Sequence, residues 1–112
     1  MESLVFQELR AINDHFDFGY ELSYWRTASQ MEVDFILYGE RGLIAVEVKR
    51  TATLRKRDLI ALKAFCQDYP MGRAILLYGG RYRRYEQNVE AVPIREALPG
   101  LYDLLSAAPH TD

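Results

Sequence analysis

Two carboxylates and one amine occur in β-type runs on either side of the short stretch Gly39–Gly42. Asp34 lies in the run before it, and Glu47 and Lys49 lie in the run after it. A glycine at each end of a short connection, between two runs of alternating β-type residues, predicts an antiparallel hairpin with a four-residue loop. Acidic side chains brought together in this way are candidates for metal binding, and the nearby lysine is a candidate for contact with a phosphate.

The register that follows from this loop places one acidic residue opposite Glu47 and another opposite Lys49. Because side chains alternate along a strand, these four groups would share one face of the hairpin. Like charges directly opposite one another destabilise a sheet, so the arrangement calls for protonation, an intervening basic group or a bound cation. Mg²⁺ takes carboxylate oxygens, although an ion-pair cluster on a solvated face is the simpler alternative. The predicted pairs are Tyr38–Leu43, Asp34–Glu47 and Glu32–Lys49.

The sequence also resembles a known group of enzymes. An aspartate followed on the next strand by Glu-x-Lys is the signature of the PD-(D/E)XK nuclease superfamily, and the chain resembles it at Asp34, Glu47 and Lys49. The surrounding residues look more specifically like the nuclease-fold domain of unknown function found at the C-terminus of many bacterial and archaeal AAA-type ATPases. That resemblance runs from about Glu2 to Leu105 and does not include the ATPase half. Its most specific segments are Tyr24–Thr27, Glu32–Phe35 and Ile44–Lys49.

This resemblance implies a fold, a cofactor and a set of site residues. The fold is α/β, with a restriction-endonuclease-like α-β-β-β-α-β core and a mixed sheet whose central antiparallel hairpin is flanked by helices. The cofactor is Mg²⁺ or Mn²⁺, held by Asp34, Glu47 and Glu2 of the first helix, and Lys49 completes the catalytic set with the first two. Secondary candidates for the site are Glu32, Glu8 and Lys63.

Hydrophobic periodicity predicts one domain over residues 1–106, followed by a flexible tail at 107–112. The first helix, residues 2–16, would bury a stripe at four positions, and a crossover helix would join the second hairpin strand to a parallel, fully buried strand. The stripe consists of Val5, Leu9, Ile12 and Phe16. The remaining predicted elements are strand Tyr20–Thr27, helix Leu54–Asp68, strand Arg73–Tyr78, an edge strand within Arg81–Pro93, and short helices at Ile94–Leu98 and Leu101–Ser106.

Basic residues cluster at two places, after the hairpin and after the buried strand. The formal net charge of −2 argues against bulk attraction to nucleic acid, so any nucleic-acid contact would depend on these local patches. Arginine and tyrosine interleaved along an edge suit phosphate contact and base stacking. They equally suit a charged edge that discourages aggregation, and the other cations equally suit surface solvation. The candidate nucleic-acid-binding residues are Arg50, Arg55, Lys56, Arg57, Arg81, Arg83 and Arg84.

Composition sets further limits. The 112 residues contain no apolar run approaching the roughly 18 residues of a membrane-spanning helix, and the N-terminus lacks a secretory signal pattern. Cys66 is the single cysteine, which excludes an internal disulfide and a cysteine-based zinc site, so a cytoplasmic protein is expected. We expect a metal-dependent nuclease acting on nucleic acid, with DNA the favoured substrate and a homodimer or an ATPase partner compatible with the resemblance. The alternative is a catalytically silent nuclease-fold module that binds protein or DNA.

Overall fold

A computed structural model describes residues 2–26, 32–86, 88–97 and 99–106, without the side chains of residues 2–3, 24–26 and 32. The predicted tail at 107–112 lies outside this description. The helices are α1 (Glu2–His15), α2 (Lys56–Asp68), α3 (Ile94–Ala97) and α4 (Leu101–Ser106). The strands are β1 (Glu21–Arg26), β2 (Glu32–Gly39), β3 (Gly42–Val48), β4 (Arg73–Tyr78), β5 (Arg84–Glu86) and β6 (Val89–Pro93).

The strands form one mixed sheet in the order β1-β2-β3-β4-β6-β5. Strands β1, β2 and β3 are antiparallel neighbours, whereas β3, β4 and β6 run parallel to one another. Helix α2 makes the crossover between β3 and β4, as a parallel connection requires. The predicted α/β class, the α-β-β-β-α-β order and the central antiparallel hairpin are therefore confirmed.

The hairpin between β2 and β3 has a shorter loop than the sequence predicts. Tyr38 pairs with Leu43 as expected, but Gly39 also pairs with Gly42, which leaves only Glu40 and Arg41 as the loop. Gly42 has a φ of 140°, a backbone conformation that residues with a side chain rarely adopt. The two glycines therefore belong to the strand ends and tighten the turn, rather than lying within a four-residue loop.

The sheet is covered on both faces. Helices α1, α3 and α4 pack on one face against alternate residues of the central strands, and α2 packs on the other face. On the first face, Val46 and Leu77 contact the core that contains Leu9 of α1. On the second face, Ala45 and Leu76 share a core with α2. Strand β4 is buried on both sides, as its continuous apolar run predicts.

Helix α1 buries the predicted stripe only in part. Val5 and Leu9 are buried, but Phe16 is 47% exposed, because the helix ends at His15 and the chain then turns through Asp17 at a φ of 53°. Asn13 holds this turn in place. Its side-chain amide donates to the carbonyl of Tyr20 at 2.8 Å and accepts from the Tyr20 N–H at 2.9 Å.

The segment predicted as one edge strand within Arg81–Pro93 forms a hairpin instead. Strand β5 is the edge, and β6 is inserted between β5 and β4. Strand β6 is buried because it pairs with β4 on one side and with β5 on the other. Helix α2 begins at Lys56 rather than Leu54, and no helix in the described part of the chain is long and apolar enough to cross a membrane.

Candidate functional site

Asp34 lies at an irregularity in the sheet. In the pairing of β1 with β2, Ser23 is opposite Ile36 and Trp25 is opposite Val33, so two residues of β2 face a single residue of β1. This irregularity is a β-bulge formed by Asp34 and Phe35. A bulge interrupts the ladder and changes the direction of a side chain, and bulges are frequent beside active sites.

The carboxylate of Asp34 is bound to the neighbouring strand. Its Oδ2 accepts a hydrogen bond of 2.8 Å from the backbone N–H of Val48, whose neighbours in the chain are Glu47 and Lys49. The last ladder pair between β2 and β3 is Phe35–Val46, so beyond it a side-chain oxygen serves as the acceptor on β2 for this N–H. The hydrogen bond fixes the Asp34 carboxylate beside the residues that the sequence pattern associates with it.

The ladder of the hairpin ends before two of the predicted pairs. The pairs Asp34–Glu47 and Glu32–Lys49 are not among the ladder pairs, although the register of the hairpin is the predicted one. The regular pairing of β2 with β3 ends at Phe35–Val46, one residue before the position where the two carboxylates would be directly opposed, and like charges in that position destabilise a sheet. The side chain of Glu32 lies outside the described residues.

Glu47 is a buried acidic residue, only 5% exposed. It lies between Val46 and Val48, whose side chains belong to the core shared with α1, and its partner on β4 is Leu76 of the opposite core. Alternation along the strand therefore directs Glu47 to the face that α2 covers. Burying an ionised carboxylate costs several kcal/mol unless its surroundings compensate, which makes Glu47 a candidate site residue.

Lys49 follows β3 directly and is half-buried. Its backbone N–H donates to the carbonyl of Leu77 at 2.8 Å, which continues the pairing of β3 with β4 by one residue. The lysine side chain consequently starts from a fixed backbone position, one residue from the N–H that holds Asp34.

The remaining site candidates, Glu2, Glu8 and Lys63, lie on helices α1 and α2. Glu2 begins α1 one turn before Phe6, whose ring lies 5.5 Å from that of Phe35, the residue after Asp34. Its side chain lies outside the described residues. Glu8 is exposed and, two positions after Phe6, is on the side of the helix away from that contact. Lys63 is half-buried near the middle of α2.

Among the described residues, no three His, Cys, Asp or Glu side chains come together as a metal site. Asp34 and Glu47 are two hard oxygen donors, and the side chains of Glu2 and Glu32, which the sequence pattern would add, are not described. Two carboxylates still fit Mg²⁺, since this ion commonly uses one or two and completes its shell with water and substrate phosphates.

The basic residues after β3 surround the start of α2. Arg50, Arg55, Lys56 and Arg57 are all exposed. The Asp58 carboxylate accepts the N–H of Arg55 at 2.9 Å, which caps the helix and offsets part of the unfavourable effect of cations at its N-terminus.

The arginines after β4 differ in their surroundings. Arg83 forms ion pairs with Glu90 at 3.2 Å and Glu96 at 3.4 Å, and Arg84 forms one with Glu86 at 2.7 Å. Arg81 is exposed and has no such partner among the described residues. Two of the three predicted phosphate-binding arginines thus have local carboxylate partners, in keeping with the charged-edge interpretation for β5.

Sequence reasoning missed Glu90, which links the sheet to the loop before β5. Its carboxylate contacts Arg73 at 3.7 Å as well as Arg83. The signal was a lone acidic residue between Val89 and Ala91, both buried, in a short apolar run. Such a run predicts a strand, and a partly buried acidic residue within a strand needs a cationic partner.

A groove of about 730 Å³ lies at the other end of the sheet, beside the β2–β3 turn. It includes the exposed side chains of Tyr38 and Met71, which are 61% and 73% exposed. The lining of the groove extends from this turn along β1 and β2 to Ser23 and Ile36, and it includes neither Asp34 nor Glu47.

The fold and the site together define an α/β domain whose mixed sheet has two acidic residues and a lysine where β2 and β3 separate. Residues 1–97 match the family described as a domain of unknown function, DUF4143. The match covers most of the chain, and the chain belongs to this family. The assignment is consistent with an ATPase-associated domain, and the description of the family names no activity. A comparison with curated proteins finds no match.

Proposed function

We propose that this domain is a divalent-metal-dependent nuclease of the PD-(D/E)XK type, which hydrolyses phosphodiester bonds in nucleic acid. The observation that supports it is the hydrogen bond from the N–H of Val48 to Asp34. Through it, a carboxylate on β2 is held next to the buried Glu47 and the half-buried Lys49. Bulges are frequent beside active sites, and two carboxylates with a lysine at one strand end suit the binding of a divalent cation and a phosphate.

In this proposal Asp34 and Glu47 hold Mg²⁺ or Mn²⁺, and Glu2 is the further acidic candidate. A bound ion of this kind lowers the pKa of water and offsets the charge that develops on the attacked phosphate. A carboxylate has about four lone-pair sites, so accepting one N–H does not exhaust the capacity of Asp34. Both donors are oxygens, which suits hard divalent cations.

In this proposal the positive charge that the protein contributes to the site, in addition to that of the metal ion, is the side chain of Lys49. Its ammonium group would bind a non-bridging phosphate oxygen or orient the attacking water. Because its backbone is fixed by the hydrogen bond to Leu77, little reorganisation is needed when charge develops in the transition state. Lys49→Ala is expected to remove cleavage without unfolding the domain.

The test is calorimetric titration of Mn²⁺ into the wild-type protein, Asp34→Asn and Glu40→Gln. The asparagine variant keeps an acceptor for the N–H of Val48 but loses the charge. Glu40→Gln is the matched control, since Glu40 is an exposed acid in the turn at the opposite end of the hairpin. Saturable binding by the wild type and Glu40→Gln, lost in Asp34→Asn, would support the site.

A cleavage assay completes the test. Wild-type protein with Mn²⁺ should cut single- or double-stranded DNA or RNA, and Lys49→Ala and Asp34→Asn should not. Equal Mn²⁺ binding by Asp34→Asn and the wild type, or cleavage by Lys49→Ala at the wild-type rate, would overturn the assignment of these residues.

The second candidate is a nuclease-fold module that binds protein or DNA without cleaving it. The groove beside Tyr38 and Met71 is the observation that favours the protein-binding form of this module, because large apolar side chains are exposed on a surface that includes neither Asp34 nor Glu47. Absence of Mn²⁺ binding in every variant, together with absence of cleavage, would favour this module over the nuclease.

A further inference from the structure

The direction of the strands gathers cations at one end of the sheet. Strands β3 and β4 are parallel, so the segments that follow them, which include Lys49–Arg50 and Arg81, leave the sheet at the same end. The basic first turn of α2 begins at this end, and Asp34 lies at it because β2 is antiparallel. Among the described residues, these cations have no carboxylate partner, unlike Arg83 and Arg84.

The loop between β4 and β5 is fastened to this end of the sheet. The N–H of Gly79 donates to the carbonyl of Thr51 at 2.9 Å, which ties the start of the loop to the segment after β3. The hydroxyl of Tyr78 donates to the carbonyl of Tyr82. The ion pairs of Arg83 with Glu90 and Glu96 then hold the end of the loop.

Tyr82 lies in this fastened loop, yet its side chain is 74% exposed. The contacts that hold the residue use its backbone carbonyl and the flanking residues, so the ring takes no part in them. An aromatic ring on an already ordered loop can stack on a partner with little further loss of backbone entropy. Arg81 directly precedes Tyr82 in the chain, and the basic residues at the start of α2 supply further positive charge at the same end of the sheet.

An exposed aromatic ring beside a basic surface is the combination used to bind single strands. Bases in a single strand can stack on aromatic side chains while cations contact the phosphates, and stacking is worth about 1–3 kcal/mol per base. In a duplex the base faces are already stacked on one another, so a side chain has no face to contact. A surface that recognised duplex through its backbone alone would need the cations but not the tyrosine.

We propose that the nucleic acid bound by this domain is single-stranded where it passes Tyr82, with a base stacked on that ring. Its phosphates lie along Arg81 and the basic start of α2, and the strand leads toward Lys49. This inference rests on the proposed nuclease function, for which it names the class of substrate. DNA and RNA single strands share this chemistry.

The experiment measures fluorescence anisotropy of labelled oligothymidylate and oligouridylate, and of the same strands annealed to their complements, in metal-free buffer. Wild-type protein should bind single strands more tightly than duplexes, with affinity falling as salt rises. Tyr82→Ala should lower single-strand affinity about tenfold, within the range expected for losing one stacked base. Tyr82→Phe should retain wild-type affinity because it keeps the ring.

Tyr38→Ala is the matched control, because Tyr38 is similarly exposed but lies at the opposite end of the sheet. It should bind like the wild type, and circular dichroism should show all variants folded. The proposal is overturned by duplex preference, by an unchanged affinity in Tyr82→Ala, or by an equal loss in Tyr38→Ala. The relative affinities for the two oligonucleotides identify DNA or RNA as the source of the strand.

Because nucleic-acid binding is measured in metal-free buffer, its outcome does not depend on whether the domain is a metal-dependent nuclease. Failure of the nuclease proposal would show as absent Mn²⁺ binding and cleavage by the wild type. Failure of the single-strand inference would show in the affinities of the Tyr82 variants, whether or not metal binds.

Discussion

At the scale of single residues, the Asp34 carboxylate has a structural as well as a proposed chemical task. It accepts the N–H of Val48 at a point where the strand ladder has ended, so it replaces a backbone acceptor. Hydrogen bonds to charged groups are stronger than neutral ones and costly to leave unmade. Stability and the proposed metal binding therefore depend on the same side chain in different ways.

We expect Asp34→Ala to lower the free energy of unfolding by about 1–2 kcal/mol in metal-free buffer, since the partly buried N–H of Val48 loses its acceptor. Asp34→Asn should lose less, because an amide oxygen can accept the same hydrogen bond. Urea denaturation of the three proteins measures the difference. Equal losses in the two variants would show that the negative charge, rather than the acceptor, stabilises this position.

The sequence predicts best the relative positions of residues that are close together in the chain. Asp34 and Glu47 lie on adjacent strands joined by a short turn, and Lys49 directly follows the second strand, so their spacing in the sequence predicts that they lie near one another. The ion pairs of Arg83 were not predictable in this way. Its partners Glu90 and Glu96 are brought to it by the β5–β6 hairpin and the start of α3, which depend on the packing of the whole sheet.

At the scale of elements, the end of β4 and the segment after β3 approach one another closely. The N–H of Gly79 bonds to the carbonyl of Thr51, and a Cβ at Gly79 would lie 2.5 Å from the carbonyl oxygen of Arg50. Glycine is required here by space, since both partners are backbone. The contact positions the segment that carries Lys49 and the start of the Tyr82 loop together.

Gly79→Ala should therefore destabilise the domain by about 1–3 kcal/mol, the usual cost of adding a methyl group where no room exists. It should also weaken the proposed cleavage, because the segment after Lys49 must shift. Thermal unfolding and the cleavage assay measure the two effects. Ala52→Ser, at an exposed position in the same segment, is the control and should leave both unchanged. A wild-type melting temperature for Gly79→Ala would contradict the close approach.

Element types followed from periodicity, and the misses have physical causes. The apolar residues of β6 are too few to separate it from β5 by pattern alone, and pairing with β4 and β5 makes Val89–Pro93 a strand. The turn at Glu40–Arg41 was predicted too long, because Gly39 and Gly42 can pair as strand residues as well as form a loop. Phe16 fits the spacing of the apolar stripe of α1, but it lies one residue beyond His15, where the helix ends.

At the scale of the whole molecule, contacts over long sequence separations tie α4 to the sheet. The Tyr20 hydroxyl donates to the carbonyl of Leu105 at 3.0 Å, and Arg73 donates to that of Leu104 at 2.9 Å. A helix of six residues is too short to be stable alone, and these bonds also satisfy carbonyls that its end leaves without partners. The last helix thus depends on the residue that precedes β1 and on the start of β4.

Burial raises the pKa of Tyr20 above its ordinary value of 10.0, an effect larger than the opposing influence of Arg41 and Arg73. Because the folded state prefers the neutral phenol, the stabilising contribution of Tyr20 is complete below pH 10 and is lost as the pH rises through the folded-state pKa. Tyr20→Phe should cost about 1 kcal/mol at neutral pH, through loss of the hydrogen bond to Leu105. Its deficit relative to the wild type should shrink above pH 10, since phenylalanine cannot ionise in the unfolded chain.

Urea denaturation at neutral and at alkaline pH measures this narrowing of the difference between Tyr20→Phe and the wild type. Tyr85→Phe is the control for general alkaline effects, because Tyr85 is 72% exposed on the edge strand. A deficit of Tyr20→Phe that stays constant across the alkaline range would show that Tyr20 ionises equally well in the folded domain. The hydroxyl would then be in contact with water, and the junction between β1 and α4 would be open rather than packed.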